Sequence, residues 1–279
     1  MDYRTLMTVA LHADGNRMHI EAAATLAGQL DAHLDVLCLG VDQIQMGYFF
    51  TGADAMLMQT TLEQARDHSE AVRTAVDSQL EGRSLRWSSR SVVSQVGALT
   101  EVIAGQARYA DLVVLPMPYA PDCATEDEAI LEAALFSADA PVLVVPGTGL
   151  PDPFPGPTMI GWNGGDEALR AVRAALPFLK QSSGVDIVVV DPPRRPVDQA
   201  QPGLTLSQML DRHGVNATLT ELPAESRSVS EVLLDHAEIG RCGMIVAGAY
   251  GHSRFREAIL GGATRDFLSK ATLPILMTH

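Results

Sequence analysis

Two periods of apolar spacing alternate along this chain. Short apolar runs at residues 5–11, 34–40, 85–93, 111–115 and 141–145 predict strands, and the stretches between them carry helical spacing. A second series follows at 158–162, 185–190, 216–221, 243–247 and 274–278, with helices predicted over 165–179, 204–213, 229–239 and 255–270. Runs such as VDIVVV and GMIVAG are continuous rather than alternating, the pattern of strands covered on both faces. Strands alternating with helices predict βαβ units, so the expectation is an α/β chain of two tandem, doubly wound, parallel five-stranded sheets.

The two series look like copies of one unit. Sliding the sequence by 132 positions lays Asp111-Leu-Val-Val-Leu115 on Gly243-Met-Ile-Val-Ala247 and Leu135-Phe-Ser137 on Phe267-Leu-Ser269. One further position lays Pro141-Val-Leu-Val on Pro274-Ile-Leu-Met. Between the copies stands PGTGLPDPFPGP, with five prolines and three glycines, which has little helix or ladder capacity and reads as an extended linker. The expected organisation is a first domain over 1–146, a linker over 147–157 and a second domain over 158–279. Each copy ends in an apolar strand at a sheet edge, an arrangement that invites the two to pair.

Composition narrows the functional classes. With 20 basic and 34 acidic residues the net charge is −14, which opposes a polyphosphate backbone and sets nucleic acid aside. Cys38, Cys123 and Cys242 are far apart, so neither a disulfide framework nor a cysteine zinc site is suggested and a reducing cytoplasm fits. No apolar stretch reaches the roughly 18 residues of a membrane-spanning helix, and the chain is expected to be cytoplasmic, without a membrane partner. Met56, Met58, Leu62, Ala65, Val72, Val76 and Leu80 follow helical spacing and are expected to pack on the sheet. The preceding Tyr48, Phe49 and Phe50 are the alternative, a partner surface or lid.

Candidate chemistry gathers after the strand at 243–247. Gly248-Ala249-Tyr250-Gly251 is followed, nine residues later, by Gly261-Gly262-Ala263-Thr264 leading into a helix. Glycines let backbone N–H groups approach a ligand, and a helix N-terminus adds partial positive charge, so the pair of loops reads as an anion cradle. Thr264 offers a hydroxyl, and His252, Arg254, Arg256 and Arg265 make this the most basic neighbourhood of the chain. The bland reading is a tight strand-to-helix turn with the arginines on a solvated face. No paired acid and base or positioned nucleophile accompanies the cradle, so binding is better supported than turnover.

On these residues the sequence resembles the universal stress protein family, whose ATP-binding members carry a signature G-x2-G-x9-G-[S/T]. Gly248, Gly251 and Gly261 match its spacing; Gly262 stands where the family has Ser or Thr, and Thr264 matches its second hydroxyl. The resemblance covers both halves, closely in the second and loosely in the first. It implies an adenine nucleotide alpha hydrolase-like fold, with the terminal strands paired in an internal pseudo-dimer and further homodimerisation left open. It also implies a stress-response or regulatory role, with ATP or another adenine nucleotide as ligand, alone or with magnesium, and at most slow hydrolysis. Carried over, Gly161, Trp162 and Asn163 face adenine and ribose, Val190 forms an apolar wall, and Gly248, Ala249 and Gly251 contact ribose and phosphates. Gly261, Gly262, Ala263 and Thr264 wrap the phosphates, with His252 and Arg254 nearby. Asn163 replaces the family's usual Asp.

The same slide gives the first half Pro116, Tyr119, Ala129, Ile130 and Glu132 at the places of Gly248, Gly251, Gly261, Gly262 and Thr264. Proline lacks an N–H, isoleucine blocks backbone approach and glutamate repels phosphate, so this half is expected to hold a degenerate site. Its acidic run Glu126-Asp127-Glu128 can itself occupy the helix N-terminus. Two rivals remain at this stage: a ligand-free interaction scaffold, and an adenylylating enzyme of related fold. Gly164-Gly165-Asp166 resembles an ATP pyrophosphatase loop but lacks its leading Ser, and an N-cap turn opening a helix explains it better.

Overall fold

The computed structural model describes residues 2–13, 18–43, 53–119, 123–192, 202–249 and 262–279. They form two compact units, Asp2–Ala140 and Pro141–His279.

The first unit runs β1 (Thr5–Ala10), α1 (Met18–Leu30), β2 (His33–Asp42), α2 (Ala53–Leu80), β3 (Arg86–Gln95), α3 (Leu99–Ala107), β4 (Leu112–Pro116) and α4 (Thr125–Glu132), and α4 continues into a π turn over Ala133–Ser137. Its strands lie in the order β3-β2-β1-β4, all parallel, with Leu6 opposite both Leu34 and Leu112. β1 and β4 are almost wholly apolar and buried, as strands covered on both faces must be. The buried hydroxyl in that layer, Thr8 Oγ1, donates to Val114 O at 2.7 Å.

The methionine and leucine spacing of α2 packs on the sheet from Ala65 onward: Ala65, Val72, Val76 and Leu80 are buried. Leu62 departs from that expectation and is exposed, a turn too early to reach the sheet. A Cβ at Gly40 would collide with the carbonyl of Ala65, so β2 carries glycine where α2 crosses it most closely. Tyr48, Phe49, Phe50 and the Met56 side chain lie outside the described residues.

The second unit begins with β5 (Val142–Val145) and continues β6 (Pro157–Gly161), α5 (Asp166–Leu179), β7 (Gly184–Val190), α6 (Pro202–Arg212), β8 (Ala217–Leu222), α7 (Val229–Ile239), β9 (Met244–Gly248), α8 (Gly262–Lys270) and β10 (Ile275–Thr278). Its order is β5-β10-β9-β6-β7-β8. From β10 to β8 the neighbours are parallel and repeat the order of the first unit, which is the structural trace of the duplication.

β5 and β10, the apolar strands that close the two copies, pair antiparallel as expected, Val142 facing Met277, Leu143 facing Leu276 and Val144 facing Ile275. All eight residues of the two strands are buried. The Pro/Gly-rich stretch between β5 and β6 is irregular, and its end is anchored: the Phe154 and Phe178 rings meet edge to face at 5.5 Å, and Ser182 Oγ donates to Gly156 O at 2.6 Å.

Candidate functional site

In an open parallel sheet, ligands bind beyond the carboxyl ends of the strands where successive connections diverge. In the second unit this place is the end of β6, which has β7 on one side and β9 on the other. Gly161 closes β6 opposite Val188 and Ala247, and Gly248 closes β9 opposite Thr278. The duplication thus brings Gly161, Trp162, Gly248 and Ala249 to neighbouring strand ends. Val190 ends β7 two residues beyond the level of Gly161, half-buried and on the same face of the strand as Val188.

Close packing accounts for one of the signature glycines. A Cβ on Gly248 would come within 2.5 Å of Ala168 N and 3.0 Å of Ala168 Cα, in the first turn of α5. Thr278 Oγ1 holds the same turn by donating to Glu167 O at 2.9 Å. Ala249 is fully buried and its N–H donates to Thr278 O at 2.8 Å, so that amide is already used.

After β6 the backbone turns sharply. Asn163 Oδ1 accepts the N–H of Gly165 at 2.8 Å, Gly164 adopts φ +79° and Gly165 is the N-cap of α5, whose first turn carries Asp166 and Glu167. This is the N-cap turn the sequence suggested, and it commits the carboxamide oxygen that the resemblance assigned to the ligand. Trp162 N–H donates to Val188 O, whereas its indole Nε1 is buried without a partner among the described residues. A buried donor left unpaired costs free energy that a ligand acceptor would recover.

α8 is described from Gly262, and Gly262, Ala263 and Thr264 head its described part, which carries no carboxylate before Asp266. Thr264 is half-buried. Gly251, His252, Arg254 and Gly261 lie outside the described residues. The helix predicted over 255–270 is described from Gly262 onward.

A second set of residues fixes α8. Asp266 accepts Ser230 Oγ at 2.8 Å and pairs with Lys270 at 2.8 Å, while Lys270 reaches Glu231 at 3.3 Å. Glu231 closes a capping box at the start of α7 by accepting Ser228 N–H at 3.0 Å. The Ser228 amide and hydroxyl, then Lys270, hold the Glu231 carboxyl below its usual range. Lys270 and Ser230 do the same for Asp266, and Asp266 and Glu231 raise Lys270. Neither Asp266 nor Lys270 was singled out from the sequence. Their spacing of four and the S-x-x-E of Ser228 to Glu231 were the available signals.

In the first unit the start of α4 is capped by its own chain. Pro116 closes β4, and all three acids in the first turn of α4 are engaged. Asp127 Oδ2 accepts the N–H of Ala124, the N-cap residue, at 2.8 Å. Glu126 accepts Gln43 Nε2 at 2.6 Å and Glu128 accepts Tyr119 Oη at 2.9 Å. Burial raises the Asp127 carboxyl, against the Ala124 amide and the nearby His12 ring, which lower it. Ile130 is buried.

Among the described residues no group of His, Cys, Asp and Glu is arranged to hold a metal ion, and no helix is long and apolar enough to cross a membrane. Burial pushes the Cys38 thiol up to about 12 and raises Cys242, with Asp77 and Asp186 respectively adding to the effect, so neither is an activated nucleophile.

Solved structures resemble the chain over its full length. A universal stress protein from Archaeoglobus fulgidus aligns with TM-score 0.66 at 12% identity, covering 98% of this chain and 95% of that one. A universal stress protein candidate from Pseudomonas aeruginosa aligns with TM-score 0.59 at 14% identity, over 99% and 93% of the two chains. A protein of unknown function from the same species gives 0.57 at 14%, over 99% and 92%. The chain has the tandem universal stress protein fold. No protein-family model and no curated protein matches the sequence. At such identities the likeness speaks for the fold, and the site must be argued from its own residues.

Proposed function

We propose that the chain is a cytoplasmic tandem universal stress protein whose second half, 158–279, binds ATP or another adenine nucleotide, alone or with magnesium. Its first half, 1–146, carries a degenerate site, and residues 147–157 join the two. The role that fits is a nucleotide-responsive stress or regulatory protein with at most slow hydrolysis. In this reading Gly161, Trp162 and Asn163 face adenine and ribose, and Val190 is an apolar wall. Gly248, Ala249, Gly251, His252 and Arg254 lie along ribose and phosphates. Gly261, Gly262, Ala263 and Thr264 hold the phosphate end.

The observation that carries the reading is what the 132-residue slide pairs after the fourth strand of each copy, Ala129, Ile130 and Glu132 in the first against Gly261, Gly262 and Thr264 in the second. Ile130 and Glu132 lie within α4, whereas the described part of α8 runs Gly262-Ala263-Thr264-Arg265 before its first carboxylate, Asp266. A helix N-terminus leaves its first N–H groups unsatisfied, and an anion is their natural partner. The buried indole N–H of Trp162, just past the end of β6 and without a partner among the described residues, supplies a donor that suits a heterocycle bearing ring acceptors.

Calorimetric titration with ATP, together with mass analysis of small molecules released from protein purified without nucleotide, tests it. One nucleotide per chain is expected; two equivalent sites would overturn the assignment of the first half. The rival reading, a ligand-free scaffold, draws support from Gly248 and Asn163, each of which has a structural task of its own. Absence of both released and titrated nucleotide would put that reading first.

A further inference from the structure

Independently of the nucleotide reading, we infer that the outer edge of β3 docks an extended segment of a partner protein. The segment adds as a further strand, and its acidic side chains alternate with apolar ones.

β3 closes one end of the sheet, and among the described residues its strand neighbour is β2 alone. Helices take its two faces. Ser89 Oγ donates to Asp77 and Ser91 Oγ to Ser69 O, both on α2, whereas Arg90, on the opposite face, donates to Gln106 of α3. On the side away from β2 a row of backbone N–H and C=O groups therefore has no ladder partner among the described residues. Such an edge is usually blunted by short length, proline or a bulge. β3 uses none of these: it runs ten residues without proline and pairs with β2 residue for residue, from His33 and Arg86 to Asp42 and Gln95. β8, the end strand of the second unit, has six residues.

What β3 carries instead is charge of one sign. Residues 82–100 hold Arg83, Arg86 and Arg90 and no aspartate or glutamate, in a chain of net charge −14. Arg86, Ser88 and Arg90 are exposed and share one face of the strand. Arg86 pairs with Asp31 at 2.9 Å, but Arg90 has no carboxylate partner among the described residues. The acid nearest this face on β2, Asp35, is engaged by Ser88 Oγ at 2.6 Å. An added strand would lie about 5 Å from β3 and about 10 Å from β2, so it meets the arginines directly and Asp35 only beyond the screening length of about 8 Å. Trp87, half-buried on the other face, offers apolar surface to the alternate side chains. The charges also choose the occupant. A second copy of this edge would bring the same arginines, and like charges across a strand pair are destabilising where opposite ones are favourable.

The test uses the full chain and fluorescein-labelled peptides of four Glu-Val, four Lys-Val or four Glu-Pro repeats, followed by anisotropy. Glu-Val should bind, and Lys-Val and Glu-Pro should be at least about tenfold weaker, since one reverses the charge and the other lacks every second N–H of the ladder. Arg90→Glu should weaken Glu-Val about tenfold, while Arg90→Lys should stay within about twofold of the unmodified protein. Bound Glu-Val should slow hydrogen exchange at those amides of residues 86–91 that face away from β2. The peptide comparison on the unmodified chain holds whether or not a variant folds. If no peptide binds, or if Glu-Val and Lys-Val bind alike, the inference is wrong. If Glu-Pro binds as tightly as Glu-Val, charge alone attracts the peptide, no strand is added and the inference is equally wrong. If the unmodified chain sediments as a dimer that Arg90→Glu converts to a monomer, a second copy occupies the edge and the acidic segment does not.

Discussion

Replacing Gly248 by alanine tests whether this glycine answers to the helix packed upon it. The added Cβ would lie 2.5 Å from Ala168 N, 2.9 Å from Glu167 C and 3.0 Å from Ala168 Cα, all backbone atoms. Relief to ordinary contact at 3.4 Å requires the start of α5 to retreat by about 0.9 Å. Retreat strains the Thr278 to Glu167 hydrogen bond and lifts a face that buries Ala168, Ala171, Val172, Ala175, Leu176, Phe178 and Leu179. Overpacking against atoms that cannot rotate away belongs at the upper end of its usual cost, about 3 kcal/mol. In a unit of this size that lowers the melting temperature by about 10 °C. Gly161→Ala is the control, because its Cβ would meet Leu233 Cδ1 at 3.2 Å, the end of a side chain that can turn, and should cost under about 1 kcal/mol. Thermal unfolding followed by circular dichroism in the absence of ligand compares the two. Should both variants melt within about 2 °C of each other, the close approach of α5 does not constrain position 248 and the steric argument fails.

Three further outcomes are expected. Asp127→Asn keeps an acceptor for Ala124 N–H but removes a charge that burial disfavours, so at neutral pH it should be at least as stable as the parent, whereas Asp127→Ala should lose about 1 kcal/mol. Because the Asp127 pKa is raised on folding, its contribution is most favourable at low pH and declines as pH rises through that raised value; chemical denaturation of the parent and Asp127→Asn across pH 3 to 7 should show the dependence in the parent alone. Glu231 and Asp266 are lowered, so their contribution is present above the ordinary carboxyl range and disappears as pH falls through the depressed values; combining Glu231→Gln with Asp266→Asn should flatten the acid limb of a stability profile. Gly261→Glu should abolish ATP binding in calorimetry while the circular dichroism spectrum is kept, and unchanged affinity would remove the phosphate end from this loop.

The element order was legible because the two periods are clean: continuous apolar runs such as VDIVVV became β7, and the terminal strands paired as their exposed apolar edges required. Boundaries moved where local chemistry overrides period. The strand predicted at 216–221 is β8, Ala217–Leu222, and its register follows from pairing with β7 rather than from its own half-exposed alternation. The site was legible only in part, since a glycine spacing does not say why each glycine is there. Gly248 answers to Ala168, a residue eighty positions away in sequence, and only the packed helix shows it. Asn163 was read as facing a ligand, yet an Asx turn two residues long claims its oxygen, a local competition that the Gly164-Gly165 step already hinted at.

On the proposed reading, the two copies diverge in what meets the helix after the fourth strand of each repeat, since the first N–H groups of any helix lack intrahelical partners. In the first copy the competitor is part of the chain. Asp127 is three residues from the amide it caps, and a tethered group acts at an effective concentration of roughly millimolar or more. A soluble anion would have to displace it and leave a carboxylate, already disfavoured by burial, without its donor. In the second copy the described part of α8 runs from Gly262 through Ala263 and Thr264, and the nearest carboxylate downstream, Asp266, is neutralised by Lys270. A chain of net charge −14 repels a nucleotide at long range, but that field is screened within about 8 Å at physiological salt. On the proposed reading, occupancy is decided over the last few ångströms, where the second copy has Gly261, Gly262 and Thr264 at the places of Ala129, Ile130 and Glu132.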